Sequence, residues 1–171
     1  MTSKLTEVEA DSDVDASSLL DEEEKARDTE ALLGMALETY GRFLMGQRRL
    51  PEALPVLERA LGVAEKVLGN ENVQYIILLN DLATTHILLK HFDLAADLLN
   101  KAIATATKVK SSQLPMLYCN LGAVFLRTSK LDDAKAACLK GQELSNKGQN
   151  PMAFSMSQKC LEKIDQVRKK A

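Results

Sequence analysis

Three 21-residue segments of this chain fall into one register, and that repetition constrains the fold more than any other feature of the sequence. They run Tyr40–Ala60, Leu82–Ala102 and Leu121–Gly141, starting 42 and 39 residues apart with no insertion inside any of them. A small residue follows the large first one each time, as Gly41, Ala83 and Gly122. Ala53, Ala95 and Ala134 open the second half, Leu57, Leu99 and Cys138 come next, and Ala60, Ala102 and Gly141 close it. Two antiparallel helices approach to roughly 8 Å only where small side chains face each other at the crossing. Large residues on either side then fill the space between neighbouring units. Apolar positions elsewhere recur three or four apart, the amphipathic-helix period, and no segment shows the alternation of a strand. The expectation is an all-α chain of stacked helix pairs.

Breaks in the pattern set the organisation. Gly, Pro and Asn cluster at Gln47–Pro51, Gly69–Asn72, Lys110–Pro115 and Lys147–Pro151, with softer breaks near His91 and Lys130. Pro51 suits the first turn of a helix, where its missing N–H is not needed. Pro55 suits its position less and is expected to bend or delay the same helix. Residues 1–21 are acidic and nearly free of large apolar side chains, so they are expected to form a disordered tail. The repeats are placed over 22–147. Residues 151–170 read as one helix with a polar, basic outer side, which closes the apolar end of the stack.

Charge and composition exclude several functions. Residues 1–30 carry eleven acidic and three basic side chains, so the rest of the chain is modestly basic although the net charge is −2. Those positive charges are scattered, with few of the seven aromatic residues among them, which argues against nucleic-acid binding. The acidic start is unlike a secretory or mitochondrial leader. The longest apolar run, Tyr75–Leu79, is far short of the ~20 residues that span a bilayer. Cys119, Cys138 and Cys160 are an odd set without Cys-x-x-Cys spacing, and are expected to be unpaired, buried thiols in a reducing compartment.

No catalytic set emerges. Phosphate-cradling glycine loops and the Gly-x-Ser-x-Gly elbow are absent. His86 falls where a helix carries a packing residue and is expected in the core, whereas His91 sits in a turn and should be solvated. Five residues apart across that turn, they do not share a helix face as i, i+4 metal ligands do. Only Asp81 among the carboxylates falls on the expected groove face of the second and third repeats, so paired acids for acid–base work are not expected. The expectation is a non-enzyme with no cofactor and no metal.

The register resembles the tetratricopeptide repeat. Beyond that skeleton, the wording of Glu22–Leu44, Leu78–Thr85 and Leu117–Leu126 is similar to the C-terminal repeats of the tetratricopeptide repeat protein 19 family. That resemblance implies a helical solenoid of three repeats plus a capping helix. It also implies residence at the mitochondrial inner membrane and support of respiratory complex III through its Rieske iron–sulfur subunit. A kinesin-light-chain type of cytosolic adaptor is the alternative, since Leu57–Gly69 followed by Leu78–Ala83 resembles that family's phrase. Its usual His-Pro after the loop is replaced here by Asn72 and Val73, and the third repeat is three residues shorter.

In such a solenoid the first helix of each repeat lines a concave groove that holds an extended peptide or a helix. The side chains expected there are Met35, Glu38, Thr39 and Arg42; Ile77, Asn80, Asp81 and Thr84; and Met116, Cys119, Asn120 and Ala123, with Arg127 at the rim. Asn80 and Asn120 are expected to bond a peptide backbone, since a carboxamide both donates and accepts. Glu38, Arg42, Asn80, Asp81, Thr84, Asn120 and Arg127 form the candidate partner site. Repeats that grip chaperone C-terminal carboxylates need converging cations. Glu38, Arg42, Asp81, Met116 and Asn120 stand at the aligned positions, and Asp81 would repel a carboxylate, so that partner class is not expected.

Overall fold

The computed structural model describes residues 16–145 and 150–169, which form seven helices. They are α1 (Ala16–Gly46), α2 (Leu50–Leu68), α3 (Val73–Leu88), α4 (Phe92–Lys108), α5 (Leu114–Arg127), α6 (Leu131–Ser145) and α7 (Pro151–Arg168). Helices α1 and α2, α3 and α4, and α5 and α6 pack as pairs, and each pair stacks on the next. Helix α7 lies across both α5 and α6. This is an all-α tetratricopeptide-type solenoid, as the register predicts.

The second helix of each pair buries one stripe with the same 4-3-4 spacing. It is Ala53, Leu57, Ala60 and Ala64 in α2, and Ala95, Leu99, Ala102 and Ala106 in α4. In α6 it is Ala134, Cys138, Gly141 and Ser145. The fourth member of each set was not anticipated, although Ala64, Ala106 and Ser145 are all small. Ser145 returns its hydroxyl proton to the Gly141 carbonyl at 2.7 Å, which lets a polar residue occupy a buried place. The first helices need the same economy. A Cβ built on Gly41 would stand 2.5 Å from Leu57 Cδ2, and one on Gly122 would collide with Cys138 Sγ.

Three expectations are corrected here. Helix α1 begins at Ala16, so residues 16–21 belong to a helix rather than to a tail, and residues 1–15 lie outside the described residues. Leu19, Leu20 and Glu22–Glu24 are good helix formers, and acids near an N-terminus suit the helix dipole. Helix α2 starts at Leu50 and runs through Pro55 without interruption. Proline there lies close enough to the N-terminal turn that only the Pro51 carbonyl loses a helical donor.

The cysteines are the third correction. Cys138 of α6 and Cys160 of α7 form a disulfide, with Cα atoms 6.3 Å apart, and only Cys119 is free. A 22-residue separation carries no signature of pairing; the bond exists because α7 crosses α6 at that point. Burial pushes the Cys119 thiol up, and it bonds Ser157 Oγ at 3.0 Å and the Ala153 carbonyl at 3.2 Å.

Successive pairs insert large residues into their predecessors. Leu78 and Leu82 of α3 complete the core of the first pair, and Leu117 and Leu121 of α5 complete that of the second. The same register positions in α1 are Ala36 and Tyr40, and both are exposed. Leu32, Tyr40 and Phe43 are 66%, 49% and 54% accessible, with the two aromatic rings stacked 6.4 Å apart. Helix α1 thus presents an uncovered apolar edge.

Candidate interaction face

The first helices α1, α3 and α5 run side by side, and the predicted groove residues lie along the seams between them. Arg42 is the hub of the first seam. Its Nη1 pairs with Glu38 Oε1 at 2.8 Å, one turn away, and its Nε donates to Asp81 Oδ2 at 2.6 Å across to α3. Glu38 also accepts a hydrogen bond from Gln74 Nε2 at the start of α3. In the second seam Asn120 Nδ2 donates to Asn80 Oδ1 at 2.7 Å. In the third, Cys119 bonds Ser157 of α7. Glu38, Asn80 and Cys119 occupy one register position in three repeats, so the same site stitches each first helix to the next.

This changes the expected role of the residues. Asn120 Nδ2 and Asn80 Oδ1 are committed to each other, which leaves Asn80 Nδ2 and Asn120 Oδ1 for other bonds. Cys119 is buried beneath α7, at the base of a small cleft between α5 and α7 that Ala123 also lines. Glu38 is buried as well. Arg42 and Arg127 are exposed and Thr84 is half-buried, so these three keep a solvent-facing aspect. Met35, 62% accessible, and the exposed Thr39 connect the seam to the apolar edge of α1. The paired positions were one repeat period apart in sequence with complementary chemistry, a signal that could have revealed the seam.

The carboxylates of this cluster are only 12% and 14% exposed at Glu38 and Asp81. Burial raises the Asp81 carboxyl above its ordinary range, with Arg42 pulling the other way. Burial likewise raises Glu38; Arg42 opposes this and Asp81 adds to it. A group raised in the folded state contributes stability that is complete below its ordinary pKa and lost as pH climbs through the raised value. Arg42 limits that loss. Arg42→Met is therefore expected to cost about 1–2 kcal/mol at neutral pH, below a fully buried pair because the guanidinium is half exposed. The deficit should narrow as pH falls through the raised range of the two acids, and so before it reaches the ordinary carboxylate range of about 4. Chemical denaturation of both proteins across that range checks it.

His86 also departs from expectation, being half-buried rather than core. His91 is exposed, as expected of a turn residue, and the turn brings the two together. No described helix is long and apolar enough to cross a membrane. Among the described residues every fully buried side-chain polar atom has a partner.

Stacked helix pairs with small residues at each crossing and bonded first helices define a tetratricopeptide-type scaffold, a class of protein-interaction fold. The tetratricopeptide repeat pattern matches residues 32–108. The chain is similar to "Tetratricopeptide repeat protein 19, mitochondrial" of Homo sapiens, at 33% identity over 70% of this chain and 31% of that protein. The Drosophila melanogaster homolog is 28% identical over 86% of this chain and 40% of its own length. The chain thus spans about a third of the curated relatives it matches. Among solved structures, BtubC (BKLC) from P. vanneervenii superimposes with a TM-score of 0.66. It covers 81% of this chain and 64% of BtubC at 17% identity, a likeness of fold.

Proposed function

We propose that this chain binds a protein partner across its first-helix face in mitochondria, at the inner membrane, and supports respiratory complex III through its Rieske subunit. The pathway rests on resemblance to the tetratricopeptide repeat protein 19 family, whose relatives here carry mitochondrial names. The observation that carries the binding is the α1 edge, where Leu32, Tyr40 and Phe43 are exposed beside Met35, Thr39 and the Arg42 seam. A contiguous apolar strip rimmed by charge marks an interaction site. Thr84, Asn120 and Arg127 extend the same face toward α5.

Affinity capture from mitochondrial extract tests this. Phe43→Glu probes the edge and Thr84→Arg the seam; neither residue is fully buried, so both variants should fold. The unaltered chain is expected to recover complex III subunits, with recovery lost in at least one variant. Recovery unchanged in both defeats the face. Capture of kinesin heavy chain in place of complex III would favour the cytosolic adaptor reading instead.

A further inference from the structure

The chain has two histidines, and their Nδ1 atoms stand 3.3 Å apart. His86 lies in the last turn of α3 and His91 heads α4, with ring centroids 5.6 Å apart. The turn between them is fixed by its backbone. His91 N–H donates to the His86 carbonyl at 2.9 Å, Lys90 N–H donates to the Ile87 carbonyl at 3.1 Å, and Lys90 takes a φ of 65°. The same turn joins the other two pairs. Arg49 donates to Leu44 and Lys130 to Phe125, both at 2.9 Å, with φ of 62° at Arg48 and 61° at Ser129. Leucine with arginine, or phenylalanine with lysine, serves this turn equally well. The fold does not require imidazoles there, and the histidine pair belongs to the second repeat alone.

Two imidazole nitrogens facing each other share either a proton or a metal ion. The proton is one choice, as an N–H···N hydrogen bond in which one neutral ring donates to the other, and 3.3 Å is long for such a bond. A tetrahedral metal ion is the other. Its nitrogen ligands lie at roughly 2.0–2.1 Å, which sets two of them about 3.3–3.4 Å apart. The observed separation is that bite.

We propose that His86 and His91 form a two-imidazole site for a borderline divalent transition metal such as Zn²⁺ or Ni²⁺, bound through both Nδ1 atoms. Imidazole donors favour these ions over Mg²⁺ and Ca²⁺. Among the described residues no third His, Cys, Asp or Glu completes a cluster, so the remaining positions go to water or to a side chain of a bound protein. A cleft of about 440 Å³ adjoins His86, floored by Leu61, Leu82 and Leu98, with Glu58 and Asp97 adding negative charge and Lys101 opposing them.

Calorimetric titration of the full chain with ZnCl₂ near neutral pH, with MgCl₂ as the control, tests the site. One Zn²⁺ per chain is expected to bind and Mg²⁺ is not. His86→Leu and His91→Arg copy the residues of the sister turns and so should keep the fold; circular dichroism checks that. Each is expected to weaken Zn²⁺ binding by about tenfold or more, and acidification below about pH 6 should weaken it in the parent chain. Absence of Zn²⁺ binding at millimolar ion overturns the proposal. So does equal binding by His91→Arg, or a loss of binding in Cys119→Ser alone, which would move the ion to the thiol.

Discussion

Gly122→Val is expected to destabilise the protein by about 3 kcal/mol, the upper end of the cost of overpacking a core. A Cβ at this position meets Cys138 Sγ first, and the Ala134 carbonyl and Cys138 amide nitrogen stand 3.4 Å away. Two of those three atoms are helix backbone, and the sulfur is bonded to Cys160, so nothing nearby yields cheaply. Gly62 of α2 provides the contrast. A Cβ there meets nothing within 4 Å, so Gly62→Ala is expected to stabilise by about 0.5–1 kcal/mol through the lost freedom of the unfolded chain. Denaturant midpoints of the two variants should move in opposite directions. Equal shifts would mean that the small-residue register is composition rather than packing.

That register is the part of the fold most legible in the sequence, because its physics is local and repeated. A crossing needs a small residue on each side, and three repeats display the need three times. The seams were half legible. Arg42 and Asp81, or Asn80 and Asn120, were placed on the correct face, but reading each repeat separately made them free groups aimed at a ligand. Their bonds run between residues one repeat apart, and the stacking distance that brings them together is not written in any single helix. The histidine contact was hidden for a shorter-range reason. Five residues across a turn normally point apart, and only a left-handed Lys90 folds His91 back onto His86. The disulfide depended on how α7 crosses α6, which no spacing encodes.

The seams also bear on the proposed partner surface. A face whose polar groups are already partly committed to one another offers less new hydrogen bonding, so a partner gains more from covering apolar surface than from replacing those bonds. The apolar surface on offer is the α1 edge, at the positions which α3 and α5 use to enter the preceding pair. Whatever covers it would meet the charge rim of Glu38 and Arg42 next. Substitutions at the edge should accordingly weaken binding more than substitutions along the Asn80–Asn120 seam.

Cys160→Ser is expected to cost about 3 kcal/mol, the chain-entropy contribution of a cross-link that closes a loop of this length. The loss should be local in its first effects. Helix α7 keeps Ile164 and Ala153 in the core and the Arg168–Asp132 ion pair, yet its tie to α6 is gone. Hydrogen exchange should therefore quicken in α7 and along α5 and α6 beneath it, while α1 to α4 keep their protection. The disulfide and Gly122 share one sulfur, which makes the two changes interdependent. With Cys160 replaced, the Cys138 side chain can rotate away from a new Cβ on α5, so Gly122→Val should cost less in that background than in the parent chain. A double-mutant cycle reads this directly, as a coupling energy between substitutions on α5 and α7 that Cys138 of α6 transmits. Additive costs would show that the carbonyl of Ala134 and the amide of Cys138, rather than the pinned sulfur, exclude a side chain at Gly122.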